Sequence, residues 1–128
     1  MKIIGIGSDI IAINRVKKAL KKSKSFTTKI FSANEIKYCN NKKNIYASYA
    51  KKFAAKEAFS KALGTGISKG ISFKEVEILN NKSGKPYVAL IGQSLSAVKK
   101  ILKTKKFKVL ISISDDNPFA LAIAIIIK

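Results

Sequence analysis

The chain has 128 residues, 47% hydrophobic and 26% charged, which is the balance of a single folded domain spanning residues 1–128 and not of a disordered chain. One cysteine and no histidine exclude an internal disulfide, a His/Cys zinc site within one chain, and any mechanism that needs the chain's own imidazole. Twenty-six basic residues against seven acids give a net charge of +19, which points to partners rich in phosphate or carboxylate, or to a compositional bias toward Lys, Ile and Asn.

Ile3, Ile4 and Ile6, with Gly5 and Gly7 between them, predict a short buried strand with Asp9 at its exit. Asp9 also interrupts the apolar start before a signal-peptide core could form. Ile10, Ile13, Val16 and Leu20 then recur at helical spacing, with Arg15, Lys18 and Lys22 one turn apart on the opposite face. Ser32 and Glu35 form a capping box that opens a helix from about Ala33 to Cys39, ending near Asn40 and Asn41.

The longest predicted helix runs from Ile45 to Leu63, with six alanines and no internal Gly or Pro. Tyr46, Tyr49 and Phe53 form one stripe. Ala47, Ala50, Ala54 and Ala58 form another, small enough to let a second element approach closely. Gly64 is a natural left-handed stop. Phe73 to Leu79 and Tyr87 to Ile91 read as strands of a hairpin around the Asn80 to Pro86 turn, and Ser94 to Leu102 as a helix. Phe107 to Ser114 and Phe119 to Ile127 are two further strands about the turn Asp115-Asp116-Asn117-Pro118. The longest apolar run, nine residues from Phe119, is far short of the ~20 a membrane helix needs, so a soluble, cytoplasmic protein without a membrane partner is expected. The fold class is α+β, mostly antiparallel sheet packed with a long central helix.

Any metal site must draw on the seven acids. Glu35 is assigned to capping. Glu75 and Glu77 alternate on a strand and read as solvent-facing, and Asp115 and Asp116 suit a turn. Asp9 and Glu57 remain. Either Asp9 caps the next helix and Glu57 pairs with Lys61 at i+4, or the long helix packs on the first strand and the two carboxylates converge. Two carboxylates plus substrate phosphates are a common way of holding Mg²⁺. Gly64-Thr65-Gly66, beside Ser60 and Lys61, permits a backbone nest for phosphate oxygens, although the order of a Walker A loop is absent.

Gly5-Ile6-Gly7-Ser8-Asp9-Ile10, Phe53-Ala54-Ala55-Lys56-Glu57-Ala58 with Lys61 and Gly64-Thr65-Gly66, and Gly84-Lys85-Pro86 occur in that order. This set resembles the holo-[acyl-carrier-protein] synthases, the small stand-alone 4′-phosphopantetheinyl transferases, over nearly the whole chain. The resemblance implies transfer of 4′-phosphopantetheine from coenzyme A to a serine of apo acyl carrier protein in fatty acid biosynthesis, with release of adenosine 3′,5′-bisphosphate. It implies a homotrimer with active sites between subunits. Asp9 and Glu57 match the Mg²⁺ ligands, and Lys61 matches an active-site lysine. Lys52, Ser60, Lys61, Gly64, Thr65, Gly66, Lys85 and Pro86 fall where the family contacts coenzyme A. Arg15, with Lys18 and Lys22, falls on the helix that receives the acidic carrier protein. Two departures stand out: Lys52 where many members have Arg, and Asp115 where some have a histidine. The rival reading from charge alone is a basic nucleic-acid-binding protein of ribosomal type; the resemblance carries no nucleic-acid partner.

Overall fold

In the computed structural model, which describes residues 1–128, the chain runs β1 (Ile3–Ala12), α1 (Ile13–Lys22), α2 (Lys24–Ile30), α3 (Ala33–Asn40), α4 (Ile45–Leu63), a 3₁₀ turn (Phe73–Glu75), β2 (Val76–Asn80), β3 (Pro86–Leu90), α5 (Gly92–Leu102), β4 (Lys108–Asp116) and β5 (Phe119–Ile127). The strands form a three-stranded sheet in the order β1-β5-β4 and a separate β2-β3 hairpin, all pairs antiparallel. This is the α+β architecture expected.

β5 sets the core because its side chains alternate in size. Ala120, Ala122, Ala124 and Ile126 point inward and are fully buried, whereas Phe119, Leu121 and Ile123 point outward and are exposed. The inward alanines leave room for α4, whose own Ala50, Ala54 and Ala58 are completely buried. Small residues on both surfaces bring helix and sheet close, as the alanine stripe predicts. α4 matches its predicted bounds. Asn44 caps it by accepting from Ala47 N at 3.2 Å, and Gly64 closes it at φ 83°. The outer face of the sheet remains apolar: Ile6, Ile10, Leu110, Phe119, Leu121 and Ile123 are all exposed.

Four expectations are corrected. β1 extends to Ala12, because the long β5 pairs with it as far as Phe119; Ile10 is therefore an exposed strand residue and the helix begins at Ile13. The segment Lys24–Ile30, left without an element by periodicity, is a helix whose cap, Ser23 Oγ, accepts from Phe26 N at 3.4 Å. Asp115 and Asp116 belong to β4, opposite Ala120 and Phe119, and leave only Asn117 and Pro118 between the strands. Glu75 and Glu77 are not simply solvated. Glu75 lies in the 3₁₀ turn and accepts from Ser94 N (3.2 Å) and Ser94 Oγ (2.8 Å), which supplies the side-chain cap that α5 lacks at Ile91. Glu77 is buried and accepts from Ser32 Oγ at 2.5 Å.

Candidate active site

Two glycines decide how α4 meets β1. A Cβ on Gly5 would overlap the Ala62 carbonyl oxygen, and one on Gly7 would overlap the Ala58 carbonyl oxygen and lie 2.6 Å from Ala62 N. Only hydrogen at these positions lets the helix backbone rest on the strand. Side chains on a strand alternate, so Gly5, Gly7 and Asp9 share that face. Asp9 is thus the first side chain beyond the contact. It meets α4 at Lys61, whose Nζ lies 3.1 Å from Asp9 Oδ1 and donates to Ser8 O at 3.0 Å.

Glu57 lies one turn before Lys61 and is half-buried. Its carboxyl is raised above the ordinary glutamate value, first by burial and then by the negative charge of Asp9, with Lys61 opposing. Asp9 and Glu57 are thus close enough for their charges to interact across the β1–α4 contact. Neither simpler explanation holds. α1 has no side-chain cap from Asp9, its N-cap being Ala12, and the ion pair of Lys61 is with Asp9 and not with Glu57. The chain has no cluster of three or more His, Cys, Asp or Glu side chains. A hard divalent cation that takes its remaining ligands from water and phosphate is the metal this two-carboxylate donor set suits.

Beyond Lys61 the backbone turns through Gly64 (φ 83°) and Gly66 (φ 67°), with space around both. Thr65 Oγ1 donates to Gly66 O at 3.0 Å. Ser60 lies beneath this turn, fully buried, and its hydroxyl donates to Glu57 O at 2.8 Å. It holds the local helix instead of facing outward.

A pocket opens toward the other end of α4, lined by Tyr38, Lys51, Lys52, Asn80, Gly84, Pro86 and Ile113 among others. Lys52 is buried there. Its ammonium donates to Ile78 O (2.5 Å) and Asn80 Oδ1 (3.0 Å) and sits 4.3 Å from the centre of the Tyr38 ring. Burial lowers its pKa. The pocket and the carboxylates lie on opposite flanks of α4: at about 100° per residue, Ser48, Lys51 and Lys52 stand roughly 120–180° around the helix from Glu57. Asp9 pairs with Ala122 and Ala122 with Ile113, so Ile113 stands two strand spacings from Asp9, about 10 Å. Lys85 is exposed on the hairpin turn beside Pro86. Of the lining residues, Tyr38, Lys51 and Asn80 are missed by sequence reasoning, because nothing local marks them as neighbours of Lys52.

Behind the site lies a second missed group. Lys56 Nζ, wholly buried, donates to Glu35 Oε1 (2.8 Å), Phe73 O (2.7 Å) and Val76 O (2.7 Å). Glu35 also accepts from Ser32 N (2.9 Å), completing the predicted capping box, and from Ile78 N (2.8 Å). One carboxylate thereby ties α3, α4 and β2 together and fixes the rotation of α4 at the residue preceding Glu57. Arg15, Lys18 and Lys22 are exposed on α1 and take part in no ion pair.

Residues 5–124 match the pattern of the 4′-phosphopantetheinyl transferase superfamily. The chain is 41% identical, over all of its 128 residues and 99% of the relative, to a holo-[acyl-carrier-protein] synthase of Pelagibacter ubique. The crystal structure of the holo-[acyl-carrier-protein] synthase from Neisseria meningitidis superposes with a TM-score of 0.87 at 34% identity, covering 99% of this chain and 100% of that one. The Bacillus anthracis holo-(acyl-carrier-protein) synthase, solved in complex with CoA (3′,5′-ADP), gives 0.80 at 36% identity, covering 98% and 97%.

Proposed function

The chain belongs to the 4′-phosphopantetheinyl transferase superfamily, among its holo-[acyl-carrier-protein] synthases, and from that premise we propose how its residues perform the transfer. The diphosphate of coenzyme A lies at Asp9, Glu57 and Lys61, and its nucleotide end extends into the pocket of Lys51, Lys52 and Tyr38 on a neighbouring copy of the chain. The observation that carries this reading is the meeting of Asp9 and Lys61 across the β1–α4 contact, with Glu57 one turn away and within reach of the Asp9 charge. The pocket lies across α4 from these groups, so one ligand reaches both only where two copies of the chain meet, in keeping with the active sites between subunits that the resemblance implies.

The donor set fits Mg²⁺, with Asp9 and Glu57 as its protein ligands. The ion would relieve the repulsion that burial and proximity impose on Glu57, and would offset charge on the diphosphate. Lys61 holds the same region by charge and is oriented by Asp9 and Ser8 O. A carrier-protein serine oxygen attacks the phosphorus on the pantetheine side of the diphosphate. The new O–P bond forms as the bond to the bridging oxygen breaks, and adenosine 3′,5′-bisphosphate leaves with that electron pair. The serine proton passes to a carboxylate or water at the site. The work is positioning and electrostatic stabilisation.

Arg15, Lys18 and Lys22 receive the acidic carrier protein by complementary charge. The exposed apolar face of the β1-β5-β4 sheet supports assembly with further copies of the chain, and the resemblance sets the total at three.

The test is Mg²⁺-dependent transfer of a labelled pantetheine arm by Asp9→Ala and Glu57→Ala. Each should lose at least about 100-fold, the scale of several kcal/mol of charge stabilisation. Near-normal transfer by either variant would remove the site. A heat shift on adding coenzyme A, larger with Mg²⁺, separates this reading from a nucleic-acid binder, which has no use for that ligand.

A further inference from the structure

The two lysines of the pocket are held differently. Lys52 is buried and fully engaged with Ile78 O, Asn80 and the Tyr38 ring. Lys51 has a single polar partner: its ammonium lies 3.4 Å from Asp115 Oδ1, and the two side chains are 38% and 36% exposed. Asp115 reaches it because β4 carries Asp115 on the same face as Ile113, which lines the pocket. Lys42, 4.5 Å from the centre of the Tyr38 ring, adds a third positive charge nearby. Asp115 is the one acid paired with a lysine of this pocket.

An ion pair this exposed is weak and exchanges readily. A terminal phosphate carries about −1.5 to −2 at pH 7, against −1 for a carboxylate, so it competes well for the same ammonium. We propose that Asp115 is the resting counter-ion of Lys51, displaced when the 3′-phosphate of coenzyme A enters. Resting on the pocket's assignment to the nucleotide end, this makes Asp115 a residue that sets affinity by subtraction and narrows the preference over ligands without the 3′-phosphate. It neutralises Lys51 for weakly charged ligands and yields it to a phosphate. Two things follow. Affinity for coenzyme A is set below what the lysines alone would give, and the cost falls on the phosphorylated end of the ligand.

The experiment measures calorimetric dissociation constants of the full-length protein for coenzyme A and for dephospho-coenzyme A, which lacks the 3′-phosphate. Wild type is compared with Asp115→Asn, Lys51→Gln and the double variant. Asp115→Asn should tighten coenzyme A binding about 3- to 10-fold and change dephospho-coenzyme A less than about 2-fold, because only the former presents the competing phosphate. Lys51→Gln should weaken coenzyme A, and in that background Asp115→Asn should add nothing, the signature of two groups acting as a pair. Wild-type binding with Asp115→Asn unchanged or weaker would overturn the pair's role and leave the pocket's assignment standing. Equal tightening for both ligands would also overturn it. Failure of the wild type to bind coenzyme A at all would instead overturn the assignment of the pocket.

Discussion

Lys56 Nζ and Glu35 Oε1 lie 2.8 Å apart with both side chains shut off from solvent. Burial lowers the pKa of Lys56, and Glu35 is the main group opposing that shift. Glu35→Ala would leave a buried ammonium without its ion-pair partner and an orphan Ile78 N–H. We expect a loss of about 3–5 kcal/mol in chemical denaturation at neutral pH, the range for breaking one side of a buried pair. A loss under about 1 kcal/mol, as for a surface pair, would mean that the pair does not anchor α4.

Gly7→Ala tests the helix–strand contact. The added methyl would overlap the Ala58 carbonyl, so α4 must shift away from β1. Overpacking of this kind costs about 1–3 kcal/mol. The shift also separates Asp9 from Glu57, so the heat shift given by Mg²⁺ with coenzyme A should shrink in the folded variant. A variant with wild-type ligand response would show that the close approach is not what assembles the site.

Glu57 gives a pH signature. Its carboxyl in the folded chain is raised above the ordinary 4.5, so the folded state binds that proton more tightly than the unfolded state does. The stabilisation from this group is present below the ordinary glutamate range and is lost as pH rises through the raised value. Without metal, Glu57→Gln should therefore match wild type near pH 4 and exceed it in melting temperature at pH 7. Saturating Mg²⁺ with coenzyme A should reverse that order, because only the carboxylate holds the ion. Parallel melting curves across this pH range would contradict the shared-site geometry.

Arg15→Glu probes the carrier-protein face. Arg15 is exposed and outside every ion pair, so folding stability should change by less than about 0.5 kcal/mol. The Michaelis constant for apo acyl carrier protein should rise, more at low salt than at high, while that for coenzyme A stays fixed. An unchanged carrier-protein constant would make α1 a solvated face only.

Local chemistry made much of this legible. The Ser32–Glu35 box, the alanine-rich helix closed by Gly64, and the β2-β3 turn each carry their own signal. Elimination among seven acids left Asp9 and Glu57. What stayed hidden was long-range. Glu77 sits in an alternating pattern that reads as solvated, yet Ser32 and Asn34 of a distant helix cover it. Glu35 caps α3 as expected, but its second role depends on Lys56 and Ile78, which no spacing rule connects to it. β1 outran its apparent end because pairing with β5 overrode the helical spacing of Ile10.

The amino-acid order alone determined the long helix, its alanine stripe and the two carboxylates available for a metal, since each is read from residue types and spacing within the chain. Tertiary structure decided that Asp9 takes Lys61 as its partner, that Asp115 takes Lys51, and that the pocket and the carboxylates fall on opposite flanks of α4. Those outcomes depend on strand register and on helix rotation. Both are fixed only when burial of the alanine faces brings distant parts of the chain together.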